Sequence, residues 1–334
     1  MRDVVITAAR RTPIGKFMGG LSSMSAADLG AAVVPAALLD AGLAPTSVDE
    51  LIFGCGRQAG GGPNIARQVA IRSGLPISST AVTLNMACGS GLLAMIEGRN
   101  SIQRGESDIV VVGGTESMSR LPYYLEEARG GYRLGHGQLV DGMYRDGFHC
   151  PLADQLMGAT AENLVEEFDI SRDEQDAYAV ESQRRCEVAQ SEGRFAAEII
   201  PIEIKGRKGP TIVDSDEHPR PGANLASMQK LKPVFREGGS VHPGNSSGIT
   251  DGAAALVLAS EGVAKDLGMP ILARVGSSSR AGVEPERMGI GPVPAVRKLL
   301  ERTGRTLADY DLVELNEAFA AQVIACDREL KLDR

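Results

Sequence analysis

The chain has 334 residues, 43% hydrophobic and 23% charged, which is long enough to bury a substantial core and to form two domains or more. Disordered and fibrous classes are excluded, because the forty Gly and 17 Pro follow no fixed period and point to tight loops and close backbone approaches. A net charge of −8, an aromatic share of 4% and no Trp argue against a nucleic-acid binder, so an anionic ligand requires a local basic patch. The start, Met1 to Thr7, has too few apolar residues ahead of Arg10 and Arg11 for a signal-peptide core. Apolar stretches such as Ala31 to Leu39 and Gly252 to Ala259 fall short of the roughly 18 residues a membrane span needs. These readings lead to the expectation of a cytoplasmic protein without a membrane partner. The cysteines at 55, 88, 150, 186 and 326 are odd in number and lack a C-x-x-C pair, so neither a disulfide framework nor a metal site is expected.

In chain order, β-branched runs alternate with helical patterns. Val4 to Thr7 reads as a strand, Ala26 to Ala41 as a helix closed by Gly42, and Glu50 to Gly54 as a strand. Ala81 to Leu84 is a further strand, Gly89 to Arg104 a helix, and Asp108 to Val112 a buried strand running into Gly113-Gly114. That order predicts an α/β layer fold with a largely parallel sheet covered on both faces.

A partial repeat emerges when Gly42 is set against Gly304, an offset of 262 residues. Leu38-Leu39 and Leu299-Leu300 precede the two glycines, and Asp49 and Asp311 stand seven residues beyond them. Each Asp is followed by a predicted strand, Glu50 to Phe53 and Leu312 to Leu315. Between the copies, over residues 119–248, the alternation breaks down and reads as an inserted loop domain. It carries a long helix opened by a capping box, Ser171 with Glu174, running to about Gly193. The expected organisation is an N-terminal α/β half over 1–118, the insertion over 119–248, a return to the first half over 249–270, and a second α/β half over 271–334.

Cys88 lies in Asn85-Met86-Ala87-Cys88-Gly89-Ser90-Gly91, where a strand hands over to a helix. A thiol beside a helix N-terminus faces free N–H groups that favour the thiolate, which suits a nucleophile; a small buried Cys in a tight turn fits the same text. Cys55 and Cys326 sit in or beside apolar runs and read as structural, and the same role is assigned to Cys150 and Cys186. Asn316 follows the predicted strand Leu312 to Leu315, where its carboxamide could orient a water or serve an oxyanion, or simply cap the next helix. Residues 205–236 hold seven Lys or Arg (205, 207, 208, 220, 230, 232, 236) against acids at 214, 216 and 217. This segment would attract a phosphorylated ligand, or form only a solvated charged loop. Gly244 to Gly248 could hold an amide-bearing ligand arm or be only a turn. Gly113-Gly114 lacks dinucleotide-binding spacing. His136, His149, His218 and His242 show no metal-ligand spacing and are expected to be solvated loop residues.

Together these segments resemble the thiolase family of acetyl-CoA C-acyltransferases. The resembling text includes Arg11 to Gly15, Ala66 to Gln68, Cys88 to Gly91, Gly113 to Met118, Met157 to Glu162 and Ser171 to Asp176. It continues through Gly244 to Gly252, Met288 to Pro292 and Asn316 to Ala320, so that it covers essentially the whole chain in family order. The resemblance implies the thiolase-like fold, two similar α/β halves stacked in five layers with an inserted loop domain. It also implies Cys88 as the acyl-accepting nucleophile and Asn316 as the holder of a water that helps bind the oxyanion. Coenzyme A, a substrate and not a resident cofactor, would lie along the insertion, with Arg220 near its phosphates, Ser227 at the adenine and Ser247 at the pantetheine amide. Met157 and Phe319 would line the acyl pocket. The implied partners are acetyl-CoA, 3-ketoacyl-CoA and CoA, in a homodimer or homotetramer.

The chain also departs from family text. A Gly-His-Pro, whose His activates the nucleophile, and a Cys followed by glycines, an acid/base, both follow the Asn316 motif in the family, and neither stands within these 334 residues. The repeat offset places the counterpart of Cys88 near position 350, so the second half reads as incomplete. The expectation is a chain whose exposed sheet edge favours association and which cannot complete acyl transfer by itself. Leu156 stands where short-chain members commonly carry His before Met-Gly, which leaves acyl length open. Two other readings fit parts of the text: a non-catalytic thiolase-like CoA-binding protein, and a ketoacyl-synthase-like condensing enzyme.

Overall fold

A computed structural model describes residues 2–207 and 209–333, which divide into two compact units. Unit 1 comprises Met1–Gly147, Phe195–His218 and Ile249–Gly276; unit 2 comprises Phe148–Arg194, Pro219–Gly248 and Ser277–Arg334. Among the described residues no helix is long and apolar enough to cross a membrane.

Unit 1 is built on β1 (Val4–Arg11), β2 (Gly15–Lys16), α1 (Ala26–Asp40), β3 (Glu50–Gly54), α2 (Ile65–Arg72), β4 (Thr80–Leu84), α3 (Ser90–Arg104) and β5 (Ile109–Ser117). The hairpin β6 (Ile202–Ile204) and β7 (Thr211–Val213) follows, then β8 (Thr250–Ser260) and β9 (Ala273–Arg274). The main sheet runs β9-β1-β8-β5-β3-β4, with β2 paired to β8. Side chains of β5 alternate faces as a two-residue period requires: Ile109 and Val111 join α1 and α2 in one core, and Val110 and Val112 join α3 in the other. Both faces are therefore buried, which is why the strands read as continuous apolar runs.

The sheet is mixed rather than largely parallel. β3 is parallel to β4 and β5, whereas β8 is antiparallel to both β1 and β5. Parallel neighbours need a crossover helix, as α2 and α3 provide; β8 returns after the inserted residues and enters the sheet from its other end.

Gly54, Gly114 and Leu84 share one register line at the carboxyl end of the parallel strands. There the first turn of α3 lies directly on the sheet: a Cβ on Gly54 would stand 2.4 Å from the Ser90 carbonyl carbon. On Gly113 it would stand 2.0 Å from the Ala254 carbonyl oxygen of β8. Gly54 and Gly113 are thus required by packing against neighbouring backbone.

Unit 2 is helical, with α4 (Met157–Glu167), α5 (Arg172–Ser191), the short α6 (Leu225–Met228), α7 (Pro292–Thr303) and α8 (Ala320–Leu330). The capping box read from Ser171 and Glu174 is present, and α5 ends at Ser191. A core of Leu164, Ile170, Ile290, Val293, Ile324 and Leu330 joins α4, α7 and α8. The repeat shows in the two helix ends, since Gly42 and Gly304 both adopt left-handed backbone, at φ 69° and 66°. It fails at the next step. Leu312 to Leu315 is not a strand, and Leu312 is 88% exposed, because no strand among the described residues lies beside it to complete a ladder.

Substituting Gly113→Ala or Gly54→Ala should lower the unfolding free energy by about 1–3 kcal/mol or more through overpacking against backbone. Denaturant unfolding of the two variants checks this, and wild-type midpoints would contradict it.

Candidate active site

Five residues separate Leu84 at the end of β4 from Ser90 at the start of α3, and they form a tight turn around Cys88. Ser90 organises it: its Oγ accepts the Met86 N–H (2.8 Å) and donates to the Ala87 carbonyl (2.6 Å). Asn85 Oδ1 accepts the Ala87 N–H (3.0 Å), and Asn85 Nδ2 donates to the Gly56 carbonyl (3.2 Å). Ala87 is held at φ 46°, a left-handed conformation that costs a non-glycine residue energy. With its neighbours fixed, the Cys88 side chain is exposed. The reading of Cys88 as a small buried cysteine therefore fails, while Cys55 and Cys326 are buried as expected.

Glu116, which no sequence motif singles out, supports this turn from below. Its half-buried carboxylate accepts the N–H groups of Gly56 (2.9 Å) and Arg57 (3.0 Å) and the Cys55 thiol (3.4 Å). A Cβ on Gly56 would stand 3.1 Å from Glu116 Oε2 and 3.5 Å from the Ala87 carbonyl, so the acid, the 55–57 loop and the Cys88 turn are stacked closely. Burial raises the Glu116 carboxyl above the usual carboxylate range despite these donors. Burial and the facing carboxylate push the Cys55 thiol up, which keeps it protonated as a donor. The available signal was a single acid at the end of an apolar strand, within the quoted Gly113 to Met118 text.

In unit 2, Met157 begins α4 after Leu156, its N-cap residue, and Phe319 is the N-cap residue of α8. Both belong to one apolar cluster with Ala161, Val241 and Phe235, and the Phe235 and Phe319 rings meet edge to face at 6.2 Å. Ser247 is exposed on the 244–248 turn, with its N–H on the Ala318 carbonyl at 2.9 Å. Ser246 bridges to Phe319, and the Ala320 N–H donates to the Asn245 carbonyl at 2.9 Å. The Ser247 turn and the Asn316 to Ala320 segment are thus tied together.

Asn316 is exposed, and among the described residues its carboxamide makes no hydrogen bond. It does not cap α8, because the N-cap is Phe319 and no side chain caps that helix. Nor does it follow a strand. Ser227 closes a capping box on α6, donating to the Asn224 carbonyl at 2.6 Å. Arg220 is exposed and bound through its N–H to Gln183 Oε1 at 2.8 Å.

The basic segment is divided between the two units. Lys205 and Arg207 belong to unit 1, whereas Arg220, Lys230, Lys232 and Arg236 belong to unit 2, and Lys208 lies outside the described residues. Arg236 is engaged by Glu166 and Asn163. Two of the three acids are also consumed, Asp216 by Arg11 at 2.7 Å and Glu217 by the backbone of Lys16 at 2.9 Å.

His242 contradicts the expectation of solvated histidines. It is fully buried, with Nε2 2.7 Å from Asp176 Oδ1. The two residues are 66 positions apart, so only the fold brings them together.

Family models match most of the chain. The N-terminal domain of thiolase matches residues 4–262 and its C-terminal domain residues 269–334. The chain belongs to the thiolase family. It is 49% identical over 334 residues to an acetyl-CoA acetyltransferase of Pseudomonas aeruginosa, covering all of this chain and 85% of that protein. A probable acetyl-CoA acetyltransferase of Escherichia coli is 47% identical over 333 residues, at the same coverage. Among solved structures, the Bacillus anthracis acetyl-CoA acetyltransferase superposes with a TM-score of 0.97 at 45% identity, over 100% of this chain and 84% of that one. Human mitochondrial 3-ketoacyl-CoA thiolase gives 0.95 at 41% identity, over 99% and 84%. The thiolase fold and acyltransferase class of this chain follow.

Iodoacetamide at neutral pH should alkylate Cys88 first and leave Cys55 and Cys326 unmodified in the folded protein, because a buried, protonated thiol is a poor nucleophile. Peptide mass mapping over a time course reads the order; early modification of Cys55 would contradict it.

Proposed function

We propose that this thiolase transfers acyl groups between 3-ketoacyl-CoA and CoA through a thioester on Cys88, and condenses acetyl groups in reverse. The observation that carries the assignment is the exposed Cys88 on a strained turn at the entrance to α3. The supporting context is the acetyl-CoA acetyltransferase named among its relatives.

In the cleavage direction a base takes the thiol proton and Cys88 Sγ attacks the 3-keto carbon. The bond between the second and third carbons of the acyl chain breaks, its electron pair passes to the acetyl-CoA carbon, and protonation there releases acetyl-CoA. The acyl group remains on Sγ as a thioester. A second CoA thiolate then attacks that carbonyl and frees Cys88 as the new acyl-CoA leaves. Ping-pong kinetics follow from the covalent intermediate.

Asn316, with a free carboxamide, is assigned to a water that donates to the developing oxyanion. Met157 and Phe319 are assigned to the acyl chain, and their shared apolar cluster supports this. Arg220, Ser227 and Ser247 are assigned to the phosphates, adenine and pantetheine amide of CoA, within an insertion spanning 119–248. The exposure of all three supports the reading. Leu156 beside Met157 leaves the four-carbon preference to a panel of 3-ketoacyl-CoA lengths. A cytoplasmic homodimer or homotetramer is part of the same proposal.

Incubation with acetyl-CoA, digestion and mass mapping should find the acetyl group on the Cys88 peptide alone, with Cys88→Ala abolishing it and lowering turnover by about 10³-fold or more. Acetylation elsewhere, or unchanged turnover in that variant, would overturn the proposal. Asn316→Ala should lower kcat by about 10²-fold with little change in KM, as expected for loss of an oxyanion contact. Steady-state kinetics separate the two parameters.

A further inference from the structure

A buried polar cluster in unit 2 underlies the segments assigned to coenzyme A, and the acyl-transfer steps leave it unused. Its centre is Asp176 on α5, 1% exposed. One carboxylate oxygen, Oδ1, faces His242 Nε2 at 2.7 Å and Asn245 Nδ2 at 3.2 Å; the other, Oδ2, takes Arg172 Nε at 2.7 Å. The partners assign the His242 tautomer. Nδ1 lies 3.0 Å from the Gly244 N–H, a group that can only donate, so Nδ1 is the acceptor and Nε2 carries the proton given to Asp176.

Three segments hang on this carboxylate. The 242–248 turn is held by His242 and by Asn245, whose Oδ1 accepts the His242 N–H at 2.8 Å. The segment at 318–320 is held through the Asn245 carbonyl and the Ser247 N–H. The α6 segment is held through Arg172, which donates to the carbonyls of Met228 (2.8 Å) and Leu231 (3.0 Å). These segments carry Ser247, Phe319 and Ser227. A second buried acid, Glu162 on α4, accepts the N–H groups of Ser240 (2.8 Å) and Val241 (2.7 Å) and fixes the entry to the turn.

We infer that Asp176 and His242 are positioning residues that set coenzyme A affinity by holding these segments in register, and that protonation of His242 releases the turn carrying Ser247. The inference rests on the assignment of Ser247 to coenzyme A. A proton added at Nδ1 would oppose the Gly244 N–H with a second donor, leaving two buried donors without an acceptor. The charged groups facing the imidazole are Asp176 and Arg172 from α5, with Glu162 from α4 one hydrogen-bonded step away through Ser240 and Val241. Burial, helped by Arg172, outweighs Asp176 and holds the histidine below its ordinary value of 6.5. The folded turn therefore binds fewer protons than the open one. Its order is complete above that value and is lost as pH falls through the lowered one.

Calorimetric titration of the whole protein with CoA tests this at about pH 7.5 and about pH 5.5. His242→Ala should weaken binding about tenfold or more at the higher pH, whereas His242→Asn, whose carboxamide oxygen can accept the Gly244 N–H, should restore it to within about threefold. On acidification wild type should lose about fivefold more affinity than His242→Asn, a ratio in which ionisation of CoA itself cancels. Equal pH dependence in the two proteins, or full affinity in His242→Ala, would overturn the inference. Ser247→Ala separates the two levels: if it binds CoA as wild type does, the Ser247 assignment fails; if it binds weakly while the His242 variants do not, only the present inference fails. Should the variants not fold, nitrogen chemical shifts of His242 in the wild-type protein decide, since a proton on Nδ1 at neutral pH is incompatible with the arrangement.

Discussion

Backbone pressed against backbone at the end of β3 fixes where Cys88 stands. Gly54 and Gly113 leave no room for a methyl group, and this absence lets the first turn of α3 rest on the sheet and lets β5 lie close to β8. Ser90, at the point of contact, then ties Met86 and Ala87 into the turn that presents Cys88. The strain at Ala87 is sustained by the hydrogen bonds that Asn85 and Ser90 make to the backbone of the turn. Burial of both sheet faces supplies the rigidity on which that exposed sulfur depends.

Acids wholly or partly buried take over where the backbone leaves regular structure. Glu116 gathers the N–H groups of Gly56 and Arg57, and Glu162 those of Ser240 and Val241. Asp176 does the equivalent through side chains, joining His242, Asn245 and Arg172. An N–H buried in a loop must find an acceptor, and a carboxylate with two oxygens can serve several at once. Each acid also carries a desolvation cost, visible in the raised Glu116 carboxyl. Removing a partner from such a cluster therefore costs more than one ordinary hydrogen bond.

Of unit 1, β1, α1, β3, β4, α3 and β5 were legible to within a few residues, because strands buried on both faces and helices closed by glycine leave strong local patterns, whereas α2 and β8 were not read as elements. Sheet direction was not, since no local pattern records that β8 enters between β1 and β5 against both. Leu312 to Leu315 shows the same limit from the other side: its residue types suit a strand, yet without a neighbour they form none. The basic segment 205–236 looked continuous in sequence, but the fold assigns its parts to different units and spends Arg236 on Glu166.

By itself the sequence determined the alternation of strand and helix from β3 to β5, the residues at the turn before α3 and the ordered motifs shared with thiolases, because each is encoded by types and spacings within a few tens of residues. Only the tertiary structure decided that Cys88 is exposed while Cys55 and His242 are buried, and that Asn316 is left uncapped. It alone paired His242 with Asp176 and placed Glu116 beneath the Cys88 turn. Exposure and hydrogen-bond partnership are set by groups distant in the chain, and a one-dimensional pattern carries no record of which distant groups the packing brings within 3 Å.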